Sequence, residues 1–339
     1  MTLPDTSVNR NYNSIDLFKI IMAFLVVAAH THPIEGCTNR TVMAIYGQVT
    51  QMTVLFFFLS SGYLLSEKLA LASDVALKIS ITTKYLCKIL KMYVVWSLIY
   101  LPLAIFAYWK DNTPFLHSVA DYIRGFVLIG EHYNSWQLWY LLSTIYALIL
   151  VIILLRLQWN VQRWPLIIGA VCLLSIFMTE VAESQEVLPV PLHIIRSFVS
   201  ITTVSGRILH GSIFIPVGIL MFRQNLSTKT WLILFSVSFL ADVFIENTAV
   251  SKVLLFLSAI ALFGVIIHID LKNHYIYKVF RNLSTDIYLI HMYIFSFYCS
   301  LIHKEVHFGL DSFLVTAILS LALGLLHLRF ATKKKTTVS

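Results

Sequence analysis

Ten apolar runs dominate the chain, and each is close to the length that a helix needs to cross a bilayer. A transmembrane helix requires roughly 17–25 mainly apolar residues. The runs cover residues 14–32, 43–66, 85–109, 136–155, 164–180, 206–222, 230–246, 251–269, 284–303 and 309–328. This pattern predicts an all-α polytopic membrane protein, a bundle of about ten transmembrane helices.

The composition supports a membrane protein and excludes several other classes. Of the 339 residues, 58% are hydrophobic and only 12% are charged, whereas soluble domains carry about 25% charged residues. The net charge is +8, but the charged residues lie in short segments between the apolar runs. This distribution does not indicate a nucleic-acid partner. Four cysteines stand far apart without paired spacing, and we therefore predict neither a disulfide framework nor a metal site.

The positions of Lys and Arg predict the orientation, because these residues concentrate in cytoplasmic segments. With a cytoplasmic amino terminus, most of the 25 Lys and Arg residues fall on the inner side. We expect residues 1–13 and 329–339 to be cytoplasmic tails, and 14–328 to be one membrane domain in the cell membrane. Of the outer connections, 110–135 is weakly amphipathic, which predicts a short helix along the membrane interface.

The first run carries three ionisable residues, Asp16, Lys19 and His30. Lys19 and His30 are eleven residues apart, about three helical turns plus 20°, and Asp16 neighbours Lys19 on the same face. Because charge in a membrane is costly, this stripe should face the protein interior and marks a functional candidate. The alternative is that Lys19 reaches the inner interface and His30 caps the helix. Asp16 is about 21 Å from His30 along the helix, so we expect it to neutralise Lys19.

Four short motifs, in chain order, resemble those of acyltransferase family 3, membrane proteins that O-acylate cell-surface sugars. In the first span, Ile15-Asp16 is followed by Lys19, ten further residues and His30, with Lys in place of the family's usual Arg. The other motifs are FFFLSSGY (residues 56–63), QLWYL (137–141) and STDIYLIH (284–291). The first two motifs also resemble the membrane part of membrane-bound serine racemases. Together the four motifs are distributed over nearly the whole chain.

The resemblance implies an acyl donor, acyl-CoA with acetyl-CoA as the default, that arrives from the cytosol. It implies an acceptor hydroxyl on a cell-surface or lipid-linked glycan outside, and no permanently bound cofactor. His30 would be the catalytic residue, acting either as a base or as a transiently acylated nucleophile. A neutral imidazole with a pKa of about 6.5 can accept the proton of a hydroxyl group.

The predicted orientation sorts the remaining polar candidates by side. On the acyl-donor side we place Asp16, Lys19, Ser60, Ser61, Gly62, Lys84, Lys88, Lys91, Tyr288 and His291. On the acceptor side we place His32, Trp139, Arg207 and His210. Other histidines near span ends, among them His268, His274, His303 and His327, are predicted to be interfacial.

Several of these residues allow two interpretations. Lys84, Lys88 and Lys91 form one cationic helical ridge, which either binds the phosphates of the acyl donor or attracts anionic lipid. Trp139 either stacks on a sugar or belongs to the membrane interface. Tyr288 and His291 are neighbours, and we expect His291 to be a hydrogen-bonding partner rather than a second base.

Two further sets remain open in the same way. The motif at Ser60, Ser61 and Gly62 lacks a nucleophile elbow, so close helix packing is favoured over a serine nucleophile. Arg207 and His210 share a helical face and either contact the acceptor or pair with acids. The candidate acids are Glu131, Glu180 and Glu183.

The competing prediction is a transporter of a small polar solute such as serine, or of an acylated precursor. Secondary transporters show internal repeats and helices that break near the middle of the membrane. The sequence shows no repeat, and only Pro216 and Gly218 interrupt the sixth span. A receptor or scaffold without chemistry would leave the stripe of Lys19 and His30 unexplained.

Overall fold

The computed structural model describes residues 12–184, 189–202, 207–245 and 247–336, and these form helices without any strand. The helices are α1 (Asn13–Thr31), α2 (Arg40–Ala70), α3 (Val75–Lys110), α4 (Phe115–Arg124), α5 (Trp139–Arg156), α6 (Trp164–Glu183), α7 (Val190–Thr202), α8 (His210–Met221), α9 (Thr228–Phe244), α10 (Thr248–Ile266), α11 (Ile276–Tyr298) and α12 (Leu310–Thr336). A π-helical turn (Gly125–Ile129) follows α4, and another (Cys299–His303) follows α11. The predicted all-α class is confirmed.

Eight of the described helical segments are long and apolar enough to cross a membrane. They contain α1, α2, α3, α5, α6, α10, α11 and α12, and each corresponds to one of the apolar runs. The segment Arg207–Met221, which contains α8, is shorter. At about 1.5 Å per residue it spans about 22 Å, less than the 30 Å of a typical hydrocarbon layer. The architecture is thus polytopic, with a short α8 inside the bundle.

Contacts between α1, α11 and α12 define the two ends of the bundle. At one end, Asp16 near the start of α1 pairs with Arg281 near the start of α11. At the other end, the Gly309 N–H before α12 donates to the Thr31 carbonyl at 2.9 Å. α12 therefore starts beside the end of α1 and runs back, so the two ends of the described chain lie on one side. The predicted orientation requires both ends on one side, and we call the Thr31 end of the bundle the outer end because that orientation, which stays a prediction, places it outside.

The glycines of α2 and α8 bring the two backbones into direct contact. A Cβ on Gly62 would overlap the carbonyl oxygen of Ile215, and one on Gly218 would overlap that of Leu59. Small residues permit such close approach between membrane helices. The adjacent Ser60 hydroxyl donates to the Phe57 carbonyl of its own helix at 3.0 Å. This geometry fits close packing rather than a serine nucleophile.

The helix predicted along the interface is α4, and its placement differs from that prediction. α4 continues into the π-helical turn and runs antiparallel to α3. The Tyr122 hydroxyl donates to the Ser97 carbonyl at 3.2 Å, and the Tyr93 hydroxyl donates to the Phe126 carbonyl at 2.7 Å. Because these tyrosines link the two backbones, the 110–135 connection runs back alongside α3 and not along the membrane interface.

The start of α11 also differs from the sequence prediction, which placed it at residue 284. Ser284 and Thr285 instead lie inside the helix, because α11 begins at Ile276. Their hydroxyls donate back to the Arg281 carbonyl, at 2.9 and 3.3 Å, as Ser and Thr do inside helices. His291 consequently lies well inside α11 rather than near its inner end.

Candidate active site

The His30 ring occupies the outer end of α1 and faces the protein interior. Its centroid lies 5.3 Å from that of the His291 ring and 5.9 Å from that of Trp136. The ring is half-buried. His32, not His30, caps the helix: its backbone is left-handed (φ 45°), and its N–H donates to the Ala28 carbonyl. His30 is therefore free of the capping role that the alternative interpretation assigned to it.

His291 belongs beside His30, so the prediction that placed it on the inner, acyl-donor side is wrong. α11 runs alongside α1 and begins eight residues earlier than predicted, which brings His291 to the level of His30. The His291 ring is fully buried, and its Nδ1 lies 3.1 Å from the Ile287 carbonyl oxygen. Its Nε2 has no hydrogen-bond partner within the described chain. Such buried unpaired groups are rare in proteins, and a bound substrate would satisfy this one.

Tyr100 and Gln137 form hydrogen bonds with the backbone of α11 on either side of His291. The Tyr100 hydroxyl donates to the Leu289 carbonyl at 2.9 Å and accepts from the Tyr293 N–H at 3.1 Å. These two backbone groups would pair with each other in a regular helix. The Gln137 amide donates to both Tyr100 and Leu289. Tyr100 was not among the predicted site residues, and Gln137 entered only as part of a motif.

Tyr288 ties α11 to the start of α5 in the middle of the bundle, not at the inner face where it was predicted. Its hydroxyl donates to the Gln137 carbonyl at 2.6 Å, and its ring contacts Phe57 and Tyr140. The Tyr140 hydroxyl in turn shares a hydrogen bond with Ser61 at 3.2 Å. Tyr288 thus fixes Trp136 and Gln137 relative to the two histidines.

A second cluster, formed by Glu131, Trp139, Arg207 and His210, lies next to His30. Arg207 pairs with Glu131, and its guanidinium carbon lies 5.3 Å from the centroid of the Trp139 ring. The His210 ring contacts the same indole edge-on at 6.0 Å. Arg207 therefore pairs with one of the candidate acids, and its contact with an acceptor stays a prediction. Trp139 is buried, so it is not an interfacial aromatic residue.

Both α5 and α8 begin at this cluster, after short 3₁₀ turns at Trp136–Leu138 and Arg207–Leu209. The Ser143 hydroxyl donates to the Ile208 carbonyl at 2.6 Å and accepts from the Gly211 N–H at 2.9 Å. A helix can begin inside a membrane only if protein groups satisfy its backbone in this way. The amino-terminal ends of both helices add positive potential near His30.

At the inner end of α1, Asp16 is shared between two cations. Lys19 Nζ lies 3.8 Å from the Asp16 carboxylate, and Arg281 Nε lies 2.9 Å from both of its oxygens. Asp16 is only 2% exposed. The expected contact of Asp16 with Lys19 is present. Arg281 is nevertheless the closer partner of Asp16, although it lies in a loop according to the predicted spans. Lys88 also acts electrostatically on Lys19.

The cationic ridge on α3 is exposed at all three of its positions, Lys84, Lys88 and Lys91. None of the three forms an ion pair with the part of the chain that the structure describes. Together with Lys19 and Arg281, the ridge gives the inner side a concentration of positive charge.

A polar cavity of about 430 Å³ opens between α2, α6, α9 and α10. Its lining includes Gln48, Gln51, Asp242 and Lys252. The His210 ring contacts Phe256 of α10 with centroids 5.3 Å apart, and the preceding residue, Leu255, lines the cavity. Its amide, carboxylate and ammonium groups suit a polar ligand.

Comparison with known proteins identifies the family. An acyltransferase domain, that of acyltransferase family 3, matches residues 12–329. An amino-acid racemase of Enterococcus faecalis is 33% identical over 144 residues, which are 42% of this chain and 20% of the racemase. A serine/alanine racemase of Enterococcus gallinarum is 27% identical over 150 residues, 44% of this chain and 21% of the racemase. The chain thus spans about a fifth of the length of these relatives. No solved structure matches it. Because the domain match covers nearly the whole sequence, the chain belongs to acyltransferase family 3.

Proposed function

We propose that the protein is a membrane acyltransferase that moves an acyl group, by default acetyl, from cytosolic acyl-CoA to a hydroxyl of a cell-surface or lipid-linked glycan. The observation that carries this proposal is the pairing of His30 with His291 inside the bundle. A half-buried imidazole there faces a second imidazole whose Nε2 is unpaired. Cationic residues lie on the inner side of this pair, and polar residues lie on its outer side.

The transfer requires a base at the point where the two substrates meet. The acceptor oxygen attacks the thioester carbonyl carbon while His30 takes the hydroxyl proton, and the carbon–sulfur bond breaks. The thiolate of coenzyme A leaves and is protonated by His30, which completes the cycle with an ester as product. In the alternative sequence, the acyl group passes through His30 before it reaches the hydroxyl.

The cationic ridge and Lys19 are proposed to hold the phosphates of the acyl donor. Lys19 lies eleven residues before His30, roughly 16 Å along the helix. The nucleotide would thus stay at the inner face while the thioester enters the bundle. Lys lacks the bidentate geometry of the family's usual Arg, and Arg281, which lies close to Lys19 around Asp16, supplies a guanidinium at this position.

Charge reversal at the ridge, in the variant Lys88→Glu/Lys91→Glu, is expected to weaken acyl-CoA binding by roughly tenfold or more, because charge-assisted contacts each contribute about 1.5–3 kcal/mol. Binding is measured on the purified protein, and insertion is checked by its level in membranes. Lys229→Glu, an exposed inner position on α9, is the matched control. Unchanged affinity in the double variant would instead support lipid attraction as the role of the ridge.

The polar cavity between α2 and α10 is proposed to receive the sugar acceptor. Sugar hydroxyls bind to amide and carboxylate side chains, and both kinds line this cavity at Gln48, Gln51 and Asp242. α10 lies between this cavity and the cluster beside His30, because its Leu255 lines the cavity and its Phe256 contacts His210. An acceptor bound here would approach the acyl group from the outer side.

The proposed activity is tested with radiolabelled acetyl-CoA and membranes that contain the protein. We expect label to enter glycan, and ester-linked acetate to appear on surface polysaccharide only when the gene is present. Longer acyl-CoA donors in parallel assays identify the acyl chain. If no acyl donor transfers label to any glycan fraction, the proposal is wrong.

A transporter is the second candidate, and two observations favour it. The short helix α8 begins inside the bundle after the turn at Arg207, as discontinuous helices of secondary transporters do. The matched relatives are described as amino-acid racemases, which favours an amino acid such as serine as the solute. Uptake of radiolabelled serine into proteoliposomes, without acyl transfer, would support this function over the first.

A further inference from the structure

Three potential metal ligands converge where α11 ends and α12 begins, at the outer end of the bundle. They are His303 in the π-helical turn, His307 in the connection, and Asp311 in the first turn of α12. Their ligand atoms all lie within 4.8 Å of one another. The sequence analysis predicted no metal ligands and regarded His303 as interfacial. The proposed acyl transfer does not use these residues.

The direct contacts within this group are long for hydrogen bonds, and the same distances also fit a shared metal ion. His307 Nε2 lies 3.3 Å from one Asp311 oxygen, and His303 Nε2 lies 3.5 Å from the other. His303 Nε2 lies 3.3 Å from the Tyr298 hydroxyl as well. Charge-assisted N–H···O bonds are shorter, about 2.7–2.9 Å. Two ligands at about 2.0–2.1 Å from a tetrahedral zinc ion are themselves about 3.4 Å apart. Both observed separations are close to this tetrahedral edge.

The connection that carries the ligands is held in place by hydrogen bonds of its own. The His307 N–H donates to Cys299 Sγ at 3.5 Å, and its carbonyl accepts from the Ser312 hydroxyl at 2.7 Å. Gly309 has φ 152°, and a Cβ there would come within 2.8 Å of Asp311 Oδ1. The two histidine rings stack with centroids 3.9 Å apart. The connection is therefore fixed before any ion binds, but one of the two nearly parallel rings must turn out of the stack so that both ring nitrogens can point at one ion.

Asp311 also has the outer-shell partner that metal-binding carboxylates usually have. The Tyr298 hydroxyl donates to Asp311 Oδ2 at 2.9 Å, which fixes the carboxylate orientation. The three ligand side chains are 27%, 40% and 46% exposed, in chain order. One side of the group is thus open for the ion to enter and for water to complete its coordination.

We propose that His303, His307 and Asp311 bind one divalent transition-metal ion, with Zn²⁺ as the best fit and water in the remaining position. Two imidazoles and one carboxylate suit Zn²⁺, whereas Ca²⁺ and Mg²⁺ prefer oxygen ligands throughout. The ion would cross-link α11 to α12 next to the bond between Gly309 and Thr31. It would thereby stabilise the connection against which the outer end of α1 packs.

The test uses the full-length protein, purified in detergent without a polyhistidine tag. We expect one Zn²⁺ per chain by elemental analysis, and competition by Co²⁺ with the visible absorption of a tetrahedral site. His303→Ala and His307→Ala should each weaken Zn²⁺ binding by more than the roughly 10–100-fold that loss of an outer-shell partner costs. Zn²⁺ should raise the melting temperature of the wild type but not of the variants.

The matched control is His117→Ala. His117 and Asp121 form an exposed pair on α4 with the same spacing as His307 and Asp311, at 3.7 Å, but without a third ligand. This variant should bind Zn²⁺ like the wild type. Wild-type protein that binds no more Zn²⁺ than the His303→Ala/His307→Ala double variant would overturn the proposal, as would an equal loss in the control. Melting in excess chelator shows whether the ligand variants are folded.

Discussion

Replacement of His30 by alanine is expected to abolish acyl transfer while the protein still accumulates in the membrane. A positioned acid or base contributes about 10²–10⁴-fold to rate, and the nearby Glu131 carboxylate is already paired with Arg207. The ring is half-buried at the last turn of α1, so its removal costs little packing. Transfer of label from acetyl-CoA to glycan is measured in membranes with matched protein levels.

His327→Ala is the control for this variant. His327 is 67% exposed and bonds Asp286 near the other end of α12, so its loss should leave transfer unchanged. A His30→Ala protein that transfers label at the wild-type rate would refute the proposed role of His30. The same assay, quenched without acceptor, separates the two mechanisms, because only a nucleophilic His30 retains label on the protein.

The helices were predictable from the sequence because the hydrophobic signal is local, but their polar extensions were not. α11 begins at Ile276, and its first turns are polar and basic enough to extend beyond the hydrocarbon layer. The segment that forms these first turns contains no apolar run that would indicate a transmembrane helix. Ser284 and Thr285 are also good capping residues when the sequence is considered alone. The predicted depth in the membrane was therefore wrong for every residue on α11. As a result, the sequence prediction placed His291 far from His30.

The site was only partly predictable for a different reason. The Lys19 and His30 stripe follows from helical spacing alone, but the partner of His30 is 261 residues away, and one sequence contains no record of that contact. No sequence pattern indicates the hydrogen bonds of Tyr100 with the α11 backbone either, because a tyrosine on an apolar helix predicts only burial. By contrast, the spacing of His303, His307 and Asp311 is visible in the sequence, but each residue lies near a span end, where an interfacial position was the prediction for His303.

Loss of the Asp16 carboxylate, in Asp16→Ala, is expected to cause the largest drop in stability. Asp16 is 2% exposed and pairs with both Lys19 and Arg281. Removal of one partner from a buried ion pair costs about 3–5 kcal/mol, because the remaining charge is left uncompensated. Arg281 is 54% exposed and can be solvated, so we expect the loss in the free energy of unfolding to be near the lower end of this range. Most of this loss should come from the uncompensated charge of Lys19. The unfolding midpoint in mixed detergent micelles measures it.

A double-mutant cycle identifies which cation depends on the carboxylate. Arg281→Ala alone should be mild, because Asp16 keeps Lys19 as a partner, and Asp16→Ala/Lys19→Met should recover much of the stability that Asp16→Ala loses. Asp286→Asn, at a more exposed acid that bonds His327, is the control and should change little. If Asp16→Ala unfolds at the wild-type midpoint, the inner cluster does not stabilise the bundle. If Lys19→Met fails to rescue it, the uncompensated charge is not that of Lys19, and the stability must instead come from the link that Arg281 makes between α1 and α11.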